Sequence, residues 1–195
     1  MALSKGCLVG LVIFAVIAFL VLLVGGYFMV SYNSLVKMDE EINAQQEEIE
    51  NQLQRRFDLI PNLVETVKGY AIHEQEILTD LAEARKSYGG AGSLQEKLNA
   101  GDELKGLFNR LMVIVENYPD LKANEGFLKF QDQLEGTENR IAVARGRYIK
   151  AVQNFNSSIR KFPTNMIAGM FSFETHEYIE VTEEAKQVPK VDFGK

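Results

Sequence analysis

The residues whose types are best suited to chemistry are two histidines and the acids beside one of them. His73-Glu74-Gln75-Glu76 places an imidazole and two carboxylates within one helical turn, donor types that hold zinc or iron. A metal centre in a helical bundle draws Glu-x-x-His pairs from two helices, plus further carboxylates. Here Tyr70 stands where the acid would be, three residues before His73, and His176 lies far downstream. A closed site wants three or four converging donors, so a solvated helix face is the expected setting of His73. No metal or other cofactor is expected. Nucleophilic chemistry finds no better footing. Gly90-Ala91-Gly92-Ser93 lacks the Gly-x-Ser-x-Gly elbow, and the glycines lack the strand and Walker-type Lys and Ser/Thr that phosphate binding uses. No Ser, His and Asp arrangement stands out. The expectation is a protein that is not an enzyme, with a metal-dependent activity carried by His73 as the alternative.

The elements that would position such residues begin in an apolar run. No charge falls between Gly6 and Val36, and Cys7 to Val30 is almost wholly apolar. As a helix this stretch rises about 36 Å, enough to cross a hydrocarbon core of roughly 30 Å with some tilt. It exceeds the apolar region of a signal peptide and has no small-x-small site before Tyr27, so a retained single span is predicted. With one Cys there is no intrachain disulfide framework, and Cys7 reads as a small apolar residue in lipid. Lys5 gives a slight bias towards an inside N-terminus. Asp39 to Glu50 carries acids and no base, which rules out a polybasic clamp on anionic cytoplasmic lipid. The prediction is a plasma (inner) membrane protein with its main domain outside the cytoplasm. A formal charge of −6, without aromatic and basic residues interleaved, argues against nucleic acid.

Beyond the span, Leu35, Met38, Ile42, Ile49, Leu53, Phe57 and Ile60 form a stripe at steps of three and four, with Gln45 filling one slot. Pro61 interrupts it. Proline crowds the carbonyl four residues back, while Asp58 can cap a new helix and Arg55 and Arg56 suit the end of the old one. A kink and a tight reversal both fit. Leu63, Val64, Val67, Tyr70, Ile77, Leu81, Ala84 and Tyr88 continue the stripe to the glycines at 89–92, where Ser93 can cap the next helix. Leu94 to Tyr118 and Phe127 to Phe162 supply two further helices, ended by Pro119 and Pro163. After Pro163 there is no sustained period; Met166 to Phe173 is greasy and Gly-interrupted, and Tyr178 to Val181 alternates like a short strand.

Arg55-Arg56-Phe57-Asp58-Leu59-Ile60-Pro61-Asn62-Leu63-Val64, then Thr66-Val67-Lys68-Gly69-Tyr70 and His73-Glu74, resembles the signature of the LemA family. Tyr32 to Val36, Tyr118 to Ala123, Leu134-Glu135, Glu138 to Ile141 and Pro163 are similar as well, so the resemblance covers nearly the whole chain. It implies a bacterial or archaeal membrane protein with an N-terminal span and an all-α four-helix bundle. It implies no established activity, cofactor or catalytic residue. A relative within the family takes part in building magnetosome membranes, which suggests membrane organisation by analogy. One general family assignment puts the small N-terminus outside the cell, against the charge bias.

The predicted organisation is an anchor over 1–31, an elongated antiparallel up-down bundle over 32–163, and an apolar segment with an extended tail over 164–195. Near-equal pieces, Leu35 to Ile60, Asn62 to Tyr88 and Leu94 to Tyr118, favour reversal at Asp58–Pro61. A reversal would also return Arg140, Arg145, Arg147, Lys150, Arg160 and Lys161 beside the acidic Asp39–Glu50 stalk, which one unbroken helix would not. The candidate structural and interaction residues are Arg55, Arg56, Asp58, Pro61, Asn62, Arg140, Arg160, Lys161, Met170 and Phe171. Asp58, Asn62 and Arg140 are expected to cap helices and fix register around Pro61. Arg160 and Lys161, with Met166 to Phe173, are expected either to meet lipid headgroups or a neighbouring subunit, or to cover the end of the core. The predicted function is a membrane-anchored scaffold: bound to lipid through its N-terminal helix, homo-oligomeric, and able to engage other membrane proteins. An accessory subunit of another membrane complex is the other alternative.

Overall fold

The computed structural model describes residues 5–70 and 74–180. It is all-α, with no strand among the described residues. The described residues form seven helices in order: α1 (Lys5–Phe57), α2 (Ile60–Lys68), α3 (Gln75–Gly90), α4 (Leu94–Val115), α5 (Pro119–Lys122), α6 (Glu125–Arg160) and α7 (Thr164–Met170). Tyr178 to Glu180 is not a strand, and Val181 lies outside the described residues. The chain divides into two compact units. Of the described residues, one unit takes in 5–43 with 150–177; the other takes in 44–149 and 178–180.

In the second unit the apolar stripes form the core. Ile49, Leu53, Phe57, Ile60, Leu63 and Val67 of α1 and α2 are buried, as are Ile77, Leu81 and Ala84 of α3. Leu104, Leu111 and Val115 of α4 join Phe127, Leu134, Ile141 and Ala144 of α6 in the same core. Side-chain pairs fix the course of these helices. The end of α3 meets α1, where Tyr88 stacks on Phe57 with ring centroids 4.2 Å apart and its hydroxyl reaches the Glu50 carbonyl at 3.4 Å. The first turn of α4 returns to the same level through Lys97, paired with Glu50. At the other end Tyr118 donates to Glu74 at 3.0 Å, and Asn124 donates to the Tyr70 hydroxyl at 3.0 Å. α6 then runs back past Arg56 and Asp102. The course is antiparallel, up and down in turn. Gly101 permits the closest approach, because a Cβ there would sit 2.7 Å from Leu53 Cδ2.

The break at Pro61 is a kink, not the favoured reversal. Backbone hydrogen bonds carry through it, from Asp58 to Gln54 at 2.9 Å, Leu59 to Arg56 at 3.3 Å and Leu63 to Leu59 at 3.1 Å. Leu59 keeps helical dihedrals, φ −77° and ψ −22°. Phe57, Ile60 and Leu63 are all buried, so a kink in phase keeps one face on the core. Pro61 falls in the first turn of α2, where a missing N–H costs least. The chain reverses instead between Lys68 and Gln75. The predicted single helix from Asn62 to Tyr88 is therefore two helices. Gly69 and the long step from Tyr70 to Ile77 mark the division.

Other helix ends follow local rules. Ser93 forms a full capping box with Glu96 ahead of α4. Asn124 Oδ1 accepts from the Phe127 N–H at 3.1 Å at the start of α6. In the first unit, α1 exposes its large apolar side chains from Val9 to Val30 and is long and apolar enough to cross a membrane. The stretch after Pro163, read as lacking a helical period, contains α7, which buries Ile167 and Ala168. Phe162, placed on the α6 stripe by its spacing, is 81% exposed.

Candidate functional site

The second unit concentrates its charges around one side chain. Arg56 occupies a position of the buried α1 stripe, three residues after Leu53 and four before Ile60, and is 2% exposed. Its Nη1 donates to Glu138 Oε2 at 2.7 Å, and Lys105 of α4 donates to the other oxygen at 2.8 Å. A second pair, Arg145 to Asp102 at 3.1 Å, ties α6 to α4 nearby. The Nε atoms of both Arg56 and Arg145 are buried without a protein partner. Burial pushes the Arg56 guanidinium below its ordinary value, partly offset by Glu138 and Asp102; arginine remains charged regardless. For Glu138, burial pushes the carboxyl up, but Lys105, Arg56 and Arg145 outweigh it and hold the group below the usual range. Cations from α1, α4 and α6 thus surround a shared carboxylate. The arrangement links three helices, and Arg56, Lys105 and Glu138 line a concavity together with Phe108, Leu134 and Glu135.

The remaining candidates of this unit lie apart from that network. Arg55, Asp58, Asn62 and Arg140 are exposed, and Pro61 is half-buried. Asp58 does not cap α2: it accepts from Gln54 Nε2 at 2.8 Å, and Leu59 takes the capping position without a side-chain bond. The Asn62 carbonyl accepts from the Thr66 hydroxyl at 2.8 Å. Arg140 and Arg147 share a concavity with Glu48 of the acidic stalk. Within this unit the basic and acidic stretches come side by side at Glu48, Arg140 and Arg147, despite the kink. His73 lies outside the described residues. Among the described residues no group of three His, Cys, Asp or Glu side chains comes together to hold a metal.

In the first unit the chain leaves α7 through Ser172, at φ 57°, and lays residues 173–177 between α1 and α6. Asn156, 7% exposed on the α6 stripe, grips this segment like a neighbouring strand. Its Nδ2 donates to the His176 carbonyl at 2.8 Å, and its Oδ1 accepts from the His176 N–H at 2.9 Å. The His176 ring meets Asp39 Oδ1 at 2.6 Å through Nε2 and packs edge-on to Phe155. Phe173 lies between Tyr32 and Phe155, with centroid separations of 6.0 and 6.1 Å. Arg160, Lys161, Met170 and Phe171 are all exposed. Asn156, Lys105 and Asp102 escaped the residue reading; Glu138 was noted only for the family resemblance, and Arg145, expected beside the acidic stalk, pairs with Asp102 instead. For Asn156 a signal existed: it is a polar residue on an apolar stripe, between Val152 and Ile159.

Comparison with known proteins adds a lineage to this geometry. The model of the LemA family matches residues 45–193. Magnetosome protein MamQ 2 of Paramagnetospirillum magneticum is 27% identical over 194 residues, covering 86% of this chain and 70% of that protein. Magnetosome protein MamQ of Magnetospirillum gryphiswaldense is 28% identical over 176 residues, covering 77% and 65%. Protein LemA of Metamycoplasma hominis is 27% identical over 162 residues, covering 80% and 73%.

Proposed function

Because this chain belongs to the LemA family, we propose that it is a single-pass, membrane-anchored four-helix bundle that works as a scaffold rather than a catalyst. It assembles with further copies of itself in the plasma (inner) membrane and organises membrane or a membrane complex there. The observation that carries this reading is α1. One helix runs unbroken from the apolar stretch into the stripe that ends at Phe57, so the membrane segment and the core share a single element. Parallel anchoring in a membrane raises local concentration, so modest contacts between copies suffice for assembly. The buried charge network supports a structural reading of the Arg56 region, since every member is engaged with another helix. Relatives named as magnetosome proteins are in keeping with an assembly role.

Native mass measurement of the full chain released from mild detergent tests the proposal. A discrete homo-oligomer is the expected result. A strictly monomeric, partnerless chain would sink the scaffold reading, and a stable second polypeptide would favour the accessory-subunit alternative. Side-specific labelling of the lone Cys7 and of a cysteine introduced at Asn33 fixes the orientation, which is expected to place the bundle outside the cytoplasm.

A further inference from the structure

We propose that α7 and its flanking residues form an interfacial foot that rests in the headgroup layer of a bilayer containing anionic phospholipid. The proposal rests on the membrane-spanning reading of α1. Both ends of the segment are pinned to α1 where the apolar run finishes. At the first residue of α7, the Thr164 hydroxyl lies 3.4 Å from that of Tyr27. Just past its end, the Phe171 ring lies 4.6 Å from that of Tyr32. Tyr27 and Tyr32 are separated by about 7.5 Å of helix at 1.5 Å per residue. That rise matches the layer of roughly 5–7 Å between the hydrocarbon core and water on each side of a bilayer. Tyrosine is also a residue enriched at that level.

The outward face of the foot has the character such a layer demands. α7 turns Ile167 and Ala168 inward and leaves Met166 at 61% and Met170 at 66% exposure. Phe162, 81% exposed, and Phe171, 49% exposed, flank α7 at either end. Large apolar side chains grouped this way mark a contact surface. Exposed Arg160 and Lys161 adjoin them, and no acid occurs between Asn139 and Phe173 although the chain carries a net charge of −6. Apolar side chains beside basic ones suit an anionic headgroup layer. A second copy of this overall acidic chain is the competing occupant, but nothing fixes its height, whereas Tyr27 and Tyr32 fix that of the lipid boundary.

The chain contains no tryptophan, so single reporters are unambiguous. Met170→Trp, Phe162→Trp, Lys150→Trp and Val16→Trp are placed one at a time in the full chain. Each is reconstituted in vesicles of phosphatidylcholine with or without phosphatidylglycerol, using lipids brominated near the headgroup or deep in the acyl chain. Val16→Trp reports the span itself and is quenched by deep bromines. The expected result is that Met170→Trp and Phe162→Trp emit to the blue and are quenched severalfold more by shallow bromines than Lys150→Trp. Lys150 lies about 15 Å further along α6 from Arg160. Arg160→Glu with Lys161→Glu should reduce this quenching in phosphatidylglycerol vesicles only. If the foot reporters shift blue but resist every bromine, a second copy covers the face and the proposal is overturned. If they stay red and unquenched while Val16→Trp is quenched, the foot is in water and the proposal fails with the span intact. Equal quenching with and without phosphatidylglycerol would overturn the anionic preference.

Discussion

Each compact unit buries a polar side chain on an apolar stripe, and the two do it with different chemistry. In the second unit the residue is Arg56, held by Glu138 inside a web of charged groups from α1, α4 and α6. In the first it is Asn156, a neutral amide that satisfies both its donor and its acceptor on one peptide backbone. A buried charge is severely penalised when its partner is misplaced, so it punishes a wrong helix register. A neutral amide loses far less on exposure and can release a main chain at modest cost. The contrast sets a second unit held in one register by charged groups against a first unit that seats residues 173–177 through the Asn156 amide and the His176–Asp39 contact.

The largest expected effect comes from breaking the charged side of this contrast. Arg56→Ala would leave Glu138 hydrogen-bonded to Lys105, with Arg145 acting from further off, and should lower stability by about 3 kcal/mol, the lower end for a broken buried pair, since the Glu138 side chain is 34% exposed. Urea unfolding of the full chain in detergent, followed by circular dichroism, measures it. Removing both members as Arg56→Met with Glu138→Met should recover most of the loss, because a whole ion pair exchanges for apolar groups at little net cost. If the double variant is no better than Arg56→Ala, the network contributes more than register and the contrast is too simple.

Asn156→Ala tests the other side. Two hydrogen bonds disappear, worth together about 2 kcal/mol, but the loss should stay local to residues 173–177. Amide hydrogen exchange at His176 should quicken on the order of thirtyfold, while the urea midpoint of the second-unit core hardly moves. A matching fall in that midpoint would show that the segment is integral to the fold.

A smaller, pH-dependent effect separates the units again. The Glu138 carboxyl lies below its ordinary value of 4.5 in the folded chain, through Lys105, Arg56 and Arg145 acting against burial. A depressed folded pKa means the stabilisation is fully present above the unfolded pKa and drains away as pH falls through the folded one. Unfolding in acid should therefore set in below about pH 4.5, and Glu138→Gln should flatten that part of the profile while lowering stability at neutral pH. An acid limb that is unchanged in Glu138→Gln would assign it to other carboxylates such as Glu50, which Lys97 and Gln46 also hold low against burial.

Stripes at steps of three and four made the helices and most of the core legible, since nearly every residue of the α1 stripe is buried. What stayed hidden depended on phase and on partners. A kink is hard to tell from a reversal in sequence because proline disrupts both equally; the backbone hydrogen bonds that carry through Asp58–Leu63 and the burial of Phe57, Ile60 and Leu63 decide it. Arg56 was singled out, but as a residue for a helix end, although its spacing from Leu53 and Ile60 already put it inside the stripe. Its partner Glu138 lies 82 residues away, a distance that periodicity cannot bridge. α7 escaped because seven residues hold less than two full cycles of a 3.6-residue pattern.

The smallest effect concerns the turn that directs residues 173–177 back along α1 and α6. Ser172 follows the end of α7 in the left-handed region, and Phe173 donates to the Ala168 carbonyl at 2.9 Å, the six-to-one bond of a helix ended by such a residue. Glycine is the usual occupant there, because a Cβ in that conformation costs about 1 kcal/mol. Ser172→Gly removes that strain but also frees the detached state, which returns roughly half of the gain. The net, about 0.5 kcal/mol in favour of the seated segment, should slow exchange at the His176 amide about twofold. Ser172→Val should quicken it instead, since a β-branched side chain fits the left-handed region worst. Opposite signs for Gly and Val would show that backbone strain at this one residue sets how readily the segment leaves Asn156. Equal rates would leave the amide grip, the His176–Asp39 contact and the rings of Tyr32 and Phe155 as what holds it.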